Sequence, residues 1–388
     1  MTNMRRMLPL SLFWLLACLA GSVTADNAIR VAPGYQLQRL AEVPGARQMV
    51  LSPAGHLYVG SRQYGKVHVV RNFSRGGRQA EVILEGVSMP SGLAMDANGD
   101  LLVAAVNEIW LLAAADQRLA SSTQAAQLSR HWQLLTDALP QHSHHGWKAI
   151  EVSPDQQTLV VPVGAPCNIC LVFPHADEPT GTILALDLSA LKAGKLQYHI
   201  LAMGVRNSVG MAFHPESGEL WFSDNGRDWL GDDLPACEIN RVPMGWKSRP
   251  HFGFPFVHAD AQGGQLPEPH AEIRRQHPGE LPFIDPQIVL QAHSAPLGIH
   301  FYQGPYKALA GHLLVAEHGS WNRSTPVGYR VTAYAAATSE PGVLVDFLDG
   351  EQKLGRPVDI IEQGDGSLLI SDDANGLIWH LSRASRSD

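Results

Sequence analysis

One short phrase returns six times along this chain, and it restricts the possible folds more than any other feature. It consists of a small or polar residue, an apolar pair, a turn such as SPAGH, DANGD, SPDQQ, HPESGE or GDGS, and an apolar run ending near Ser, Asp or Gly. The copies begin near Met49, Leu93, Ile150, Met211, Ile299 and Ile360. Each predicts two short strands joined by a hairpin, with Gly or Asp supplying the turn geometry. A third strand often follows, as in KVHVV, EIWLL, TILALDL and LIWHL. A unit this small cannot bury its own hydrophobic face, so repetition at this scale implies radial or solenoid stacking. Four-stranded blades around an axis fit best. The predicted fold is an all-β, six-bladed β-propeller whose long inter-strand loops form an axial pocket.

Length alone favours two or three domains, but the repeats favour one propeller domain over residues 26–388. The 36 Gly and 26 Pro suit many tight turns rather than long helices. A net charge of −8 without a basic run gives no footing for nucleic acid. The strand-like stretch 29–43 precedes the first copy, while the last copy supplies only about three strands. The first stretch is therefore expected to complete the final blade and remove the open edge. Polar insertions at roughly 114–146, 165–180, 226–296 and 316–330 are expected to cluster at one end of the channel, around the pocket.

The first residues read as a targeting segment. Arg5 and Arg6 precede an apolar stretch from Leu8 to Leu19, and VTA ends at Ala25, so residues 1–25 are expected to be a signal peptide. The apolar run is too short for a good membrane span. LLAC, from Leu15 to Cys18, also resembles a lipobox, which would acylate Cys18 and tether the protein to a membrane. The expected location is outside the cytoplasm, in the periplasm, either soluble or lipid-anchored. Three cysteines then remain. Cys167 and Cys170 in CNIC could form a redox pair, half a metal site or a local disulfide. There is no second CxxC, and Leu171 rather than His follows, so neither a zinc ribbon nor a c-type haem is supported. In an oxidising compartment a small disulfide, or two thiols in a loop, is the better reading. Cys237 has no obvious partner.

Four constellations could carry chemistry. His142, His144 and His145 crowd the start of the third copy, as a metal site, a general base or a solvated loop. Arg206 and Asn207 hold the corresponding place before the fourth copy, where an Arg fork would suit a carboxylate. Asp224, Asn225, Asp228, Asp232, Asp233 and Glu238 follow within fifteen residues, either as hard oxygen ligands for calcium or as an acidic surface loop. Arg323, Arg330 and Arg356 lie near the starts of later blades. Their shared register directs these candidates to a single pocket.

The phrases HHGWKAIEVSPD, GVRNSVGMAFHP, DNGRDWLGDDLPACEINRV, HFGFPF, SAPLGIHFYQG, LLVAEHGSWNRSTPVGYRV and GRPVDI run in order through the chain. Together they resemble the soluble quinoprotein glucose/sorbosone dehydrogenase family, particularly its sorbosone dehydrogenase-like branch, from about Gly34 to Leu381. The resemblance implies a six-bladed propeller that binds pyrroloquinoline quinone (PQQ) and Ca²⁺. It implies His145 as the base that takes the substrate hydroxyl proton while hydride passes to the quinone. Arg206 and Asn207 would contact the quinone oxygens, Arg356 and more loosely Arg323 its carboxylates, and Asn225 the cofactor. Gly226 and Arg227 would lend carbonyl groups to calcium, with Asp232, Asp233 or Glu238 binding or bracing it. Such a tricarboxylate needs buried cations to offset its charge. Three features depart from the family: SMPSGLAM lacks a Gln, Val358 stands where a second Arg is usual, and Trp229 and Trp321 are only neighbouring candidates for cofactor stacking.

The expected function is an exported PQQ-dependent dehydrogenase that oxidises a sugar or sugar aldehyde and passes electrons to a respiratory acceptor. A calcium-dependent lactonase on the same fold is the alternative enzyme; it would need acidic and Asn ligands on one metal, without the Arg206, Arg323 and Arg356 set. A non-catalytic propeller that binds a carbohydrate or a protein is the alternative outside enzymes, and it would leave His145 dispensable.

Overall fold

The computed structural model describes residues 28–171, 178–243, 249–277, 282–335 and 341–384. The predicted signal peptide, with Cys18, lies outside the described residues.

Six antiparallel sheets surround a central axis. Their first strands are Ala46–Leu51, Gly92–Met95, Glu151–Val152, Met211–Phe213, Pro296–Phe301 and Pro357–Glu362, which start blades one to six. These are the starts of the six repeats. They neighbour one another around the axis, and later strands pair outwards in chain order. The turns form as their chemistry requires. In DANGD the Asp96 carboxylate accepts from the N–H groups of Asn98 and Asp100 at 3.0 Å, and Gly99 takes φ +77°. In SPDQQ the same left-handed position falls to Gln156, at φ +62°.

The second strands Leu57–Ser61, Leu101–Ala104, Leu313–Glu317 and Leu368–Asp372 are buried at every position. Covered by blades on both faces, they read as unbroken apolar runs rather than as alternation. The core therefore lies between blades. Leu314, Val331 and Val345 of blade five, for example, meet Ile370 and Trp379 of blade six.

The ring closes with the strand Tyr35–Glu42, which pairs along Leu377–Arg383 and sets Leu37 opposite Leu381. A second closure was not foreseen: Arg30–Val31 pairs with Gly342–Asp346 as a fifth strand of blade five. The insertions also divide differently from expectation. The helical turns Ala115–Ala120 and Ala125–His131 lie away from the pocket. Asp116 accepts there from Ala54 N–H in the SPAGH hairpin at 3.2 Å and from Tyr58 Oη at 3.0 Å. Trp132 Nε1 donates to the Ile83 carbonyl at 2.8 Å, so this segment covers the outer edge of blade one.

Candidate active site

At the other end of the axis lies a cavity of about 550 Å³, within the range of small-molecule sites. Two registers of the repeat supply its wall. Residues leading into or beginning first strands include Arg47, Met89, His145, Arg206, Asn207 and Arg356. Residues just after second strands include Arg62, Asn225 and His318. The last residue of the second strand holds the two registers together. In blade four Asp224 accepts from the backbone N–H of Arg206 at 2.9 Å and of Asn207 at 2.6 Å. In blade six Asp372 accepts from Arg356 N–H at 3.0 Å. Val209, Leu297 and Val358 pack with Trp147 in one apolar cluster; Leu297 and Trp147 line the cavity, while Val209 and the unexpected Val358 face a small neighbouring cavity.

His145 is buried, with φ +53°. Its Nδ1 sits 2.9 Å from the Ala165 carbonyl, which fixes the proton on Nδ1 and leaves the Nε2 lone pair free to act. Burial, then the charges of Arg206 and the neighbouring His144, push its pKa down to about 2. The ring is thus neutral and in the form a base requires. His144 also lines the cavity, whereas His142 pairs with Glu178.

Four arginines face the same space: Arg47, Arg62, Arg206 and Arg356. Arg206, 4% exposed, donates to Asn168 O (3.0 Å), Asn168 Oδ1 (2.8 Å), Asn225 O (3.0 Å) and Asp228 Oδ2 (3.1 Å). Arg47 pairs with Asp373 at 2.9 Å, and the same carboxylate accepts from His318 Nε2 at 2.8 Å. Arg356 donates to the carbonyls of His318 (3.1 Å) and Gly319 (2.8 Å). Arg62 lies over the Trp147 ring at 3.7 Å, and its pKa falls to about 10 through burial and then the charge of Arg47. Among the described residues neither Arg62 nor Arg356 has a carboxylate partner, so the wall carries surplus positive charge. Asn207 Oδ1 and the Nε atoms of Arg47 and Arg62 are buried without a hydrogen-bond partner. Unsatisfied groups of this kind on residues that line one cavity mark a place for a polar ligand, and the two arginine donors among them suit an anionic group.

The structure gathers His145, Arg206, Asn207, Asn225, Gly226 and Arg356 around the cavity. His144, Asp228 and Trp321 line it as well, whereas Arg227, Asp232, Asp233, Glu238 and Arg323 are not among its lining residues. Arg323 donates to the Asp232 carbonyl and to Asp233 Oδ1 at 2.9 Å, and Asp232 Oδ1 accepts from Ser324 N–H at 3.0 Å. These contacts tie two loops together at the rim, where Trp229 and Trp321 meet edge to face at 5.5 Å. The Arg227 side chain turns away to Glu268, and Glu238 lies behind the wall beside a small second cavity. Cys167 and Cys170 form a disulfide, and Cys237 is a buried free thiol lining the cavity.

Sequence reasoning missed Arg47, Arg62, His318, Asp373 and Asn168. Arg62, Asn225, His318 and Asp373 each follow a second strand directly, so the end of the repeat phrase was the signal that could have found three of them.

An uncharacterized protein of Borreliella burgdorferi is 32% identical over 369 residues, spanning 92% of this chain and 91% of the relative. The pyrroloquinoline quinone-dependent pyranose dehydrogenase of Coprinopsis cinerea is 29% identical over a shorter stretch of 126 residues, 17% of its length. Its PQQ domain in the holo form superposes with a TM-score of 0.73 at 18% identity, covering 94% of this chain and 99% of that one. A Trichoderma reesei enzyme of carbohydrate-active family AA12 superposes equally well, with a TM-score of 0.73 at 21% identity and coverage of 93% and 99%. At these identities the superpositions establish a shared fold. The family model described as TrAA12-like matches residues 29–384, and the chain belongs to that family.

Proposed function

We propose that this protein is an exported quinoprotein dehydrogenase that oxidises a sugar or sugar aldehyde, with PQQ as cofactor and His145 as general base. The observation that carries the reading is the cationic cavity itself. Arginines in excess of their carboxylates, with unpaired Nε–H donors on Arg47 and Arg62, surround a neutral His145 whose Nδ1 is engaged and whose Nε2 is free. That donor set fits a polycarboxylate quinone. Arg62 and Arg356 are the cations available to its carboxylates, and Arg206 and Asn207 lie near enough to His145 to share a substrate with it. When bound, the quinone would accept the hydride and a calcium ion would polarise it.

The chain's own part is to hold the substrate and move one proton. Ala165 fixes the His145 tautomer, so that Nε2 can accept the hydroxyl proton. Burial first, and then the charges of Arg206, His144 and Arg62, keep His145 weakly basic. An anion set against those guanidiniums offsets their field and raises the histidine's basicity where it is needed. For calcium we propose the backbone carbonyls of Gly226 and Arg227. A Cβ at Gly226 would lie 2.8 Å from the Ala236 carbonyl, so this backbone passes too close to its neighbour for any side chain. Asp232, Asp233, Glu238 and Arg323 are left out of the proposed site because their side chains are engaged at the rim or lie behind the wall. Among the described residues no three His, Cys, Asp or Glu side chains are placed to share a metal.

The test is reconstitution of the purified protein with PQQ and Ca²⁺, followed by dye reduction with aldoses, sorbosone and simple alcohols. Quinone binding and sugar-dependent reduction are expected. Absence of binding at micromolar quinone refutes the reading.

A further inference from the structure

Arg206 makes four side-chain hydrogen bonds, and two of them end on one residue, Asn168. The same Asn168 Oδ1 accepts from Asp228 N–H at 2.8 Å, and its Nδ2 donates to the Asp228 carbonyl at 3.3 Å. Asp228 in turn is the carboxylate paired with Arg206. One amide side chain therefore anchors both members of this ion pair in the cavity wall. A primary amide suits the task because it accepts and donates at once.

The segment around Asn168 serves His145 as well. Ala165 O accepts a hydrogen bond from His145 Nδ1–H, and Ala165 N–H donates to Arg206 O at 2.8 Å. Asn168 itself lies between Cys167 and Cys170, whose disulfide closes a loop of four residues. Cross-linking so short a loop constrains the unfolded chain less than a long one does, so much of its effect is on local order. The loop is seated by Ile169 and Cys170, which pack against Ala165 and Phe254.

We propose that Asn168 is a positioning residue: held in its disulfide-closed loop, it fixes the Arg206 guanidinium in the cavity wall, and losing either device loosens the grip on an anionic ligand. The identity of that ligand as the quinone rests on the function proposed above; the positioning role does not. Replacing Asn168 by Ala removes the bond from Arg206 Nη2 to Oδ1 and both side-chain contacts to Asp228; the bond from Arg206 Nε then ends on a backbone carbonyl that those contacts no longer help to hold, so the guanidinium is freer to leave the wall.

Two readouts on the full mature protein test this. Nitrogen-15 relaxation of the Arg206 Nε–H group, measured without quinone, reports whether the side chain is held. Tryptophan fluorescence titration with PQQ reports ligand affinity. In the wild type the Nε–H order parameter is expected near about 0.85, falling below about 0.6 in Asn168→Ala. The dissociation constant for PQQ is expected to rise about tenfold, as the loss of charge-assisted hydrogen bonding implies. Asn168→Asp keeps both acceptors for Arg206 and should restore the order parameter. The pair Cys167→Ser with Cys170→Ser should move both readouts in the direction of Asn168→Ala, by less. An ordered Arg206 in Asn168→Ala, with PQQ affinity within twofold of wild type, overturns the proposal. If Asn168→Ala does not fold, an unchanged Arg206 in the serine pair overturns it. If Arg206 loosens as expected while even the wild type binds no PQQ, the positioning role stands and the proposed function falls.

Discussion

Glu268 is the most demanding single position outside the cavity, and Glu268→Gln is the perturbation that exposes its role. Its side chain is fully buried, yet it accepts from Arg227 Nη1 at 2.7 Å through both oxygens, from His258 Nε2 at 2.8 Å and from His270 N–H at 3.0 Å. Arg227 is itself 4% exposed. Gln keeps the shape and removes the charge, leaving a buried guanidinium without its counter-ion, which costs about 3–5 kcal/mol. Urea unfolding at pH 7 is the assay, with equal slopes required before midpoints are compared. Adding Arg227→Met to Glu268→Gln should recover about 1–3 kcal/mol, since the stranded charge is then gone. Burial alone would raise the Glu268 pKa, but the bonds from His258, Arg227 and His270 hold it well below the usual carboxylate range. A carboxyl depressed in the folded state stabilises above its unfolded value of about 4.3, and that contribution is lost as pH falls below it. Wild type should therefore lose stability on acidification below about pH 4.3, and Glu268→Gln should show a flatter acid limb. A Glu268→Gln protein within about 1 kcal/mol of wild type, against the loss of about 3–5 kcal/mol expected, would refute the reasoning.

Three further outcomes follow from the site and the ring. His145→Ala should lower turnover about 10²–10⁴-fold while PQQ still binds, read by steady-state dye reduction; an unchanged turnover would remove the base role. Arg62→Ala should weaken PQQ binding about tenfold and flatten its dependence on salt, because Arg62 has no carboxylate partner among the described residues; equal affinities at low and high salt would place Arg62 outside the ligand's field. Deleting residues 28–42 bares the outer edge of Leu377–Arg383 and should yield aggregates on size-exclusion chromatography, and a soluble monomer melting like wild type would show the closing strand to be dispensable.

What the sequence revealed depended on how local each determinant was. The starts near Met49, Leu93, Ile150, Met211, Ile299 and Ile360 were legible because a hairpin turn and two apolar runs lie within about a dozen residues of one another. The closing strand was legible as a surplus at the front matched by a deficit at the back. His145, Arg206 and Arg356 could be set around one pocket because each stands in the short segment that leads into a first strand, at the same end of its blade. Arg323 shows where that reasoning stops. It lies in a long loop, and its direction is set by Asp232 and Asp233, about ninety residues earlier. Asn168 was illegible for the same reason, since nothing in CNIC specifies an arginine thirty-eight residues later. Arg62, His318 and Asp373 share a register but not a residue type, so the repeat concealed them.

The closure of blade six has a consequence for how the polypeptide can be rewired. Tyr35 stands opposite Arg383, so the two ends of the folded chain run side by side in one sheet. The ring is a bracelet whose clasp is the pairing of Tyr35–Glu42 with Leu377–Arg383. Linking residue 384 back to residue 28 and cutting instead in the DANGD turn would move the clasp to blade two without altering a single contact in the cavity. Such a circular permutant would separate two demands that the natural chain combines, because blade six would form from contiguous sequence while the catalytic end kept every residue it has now.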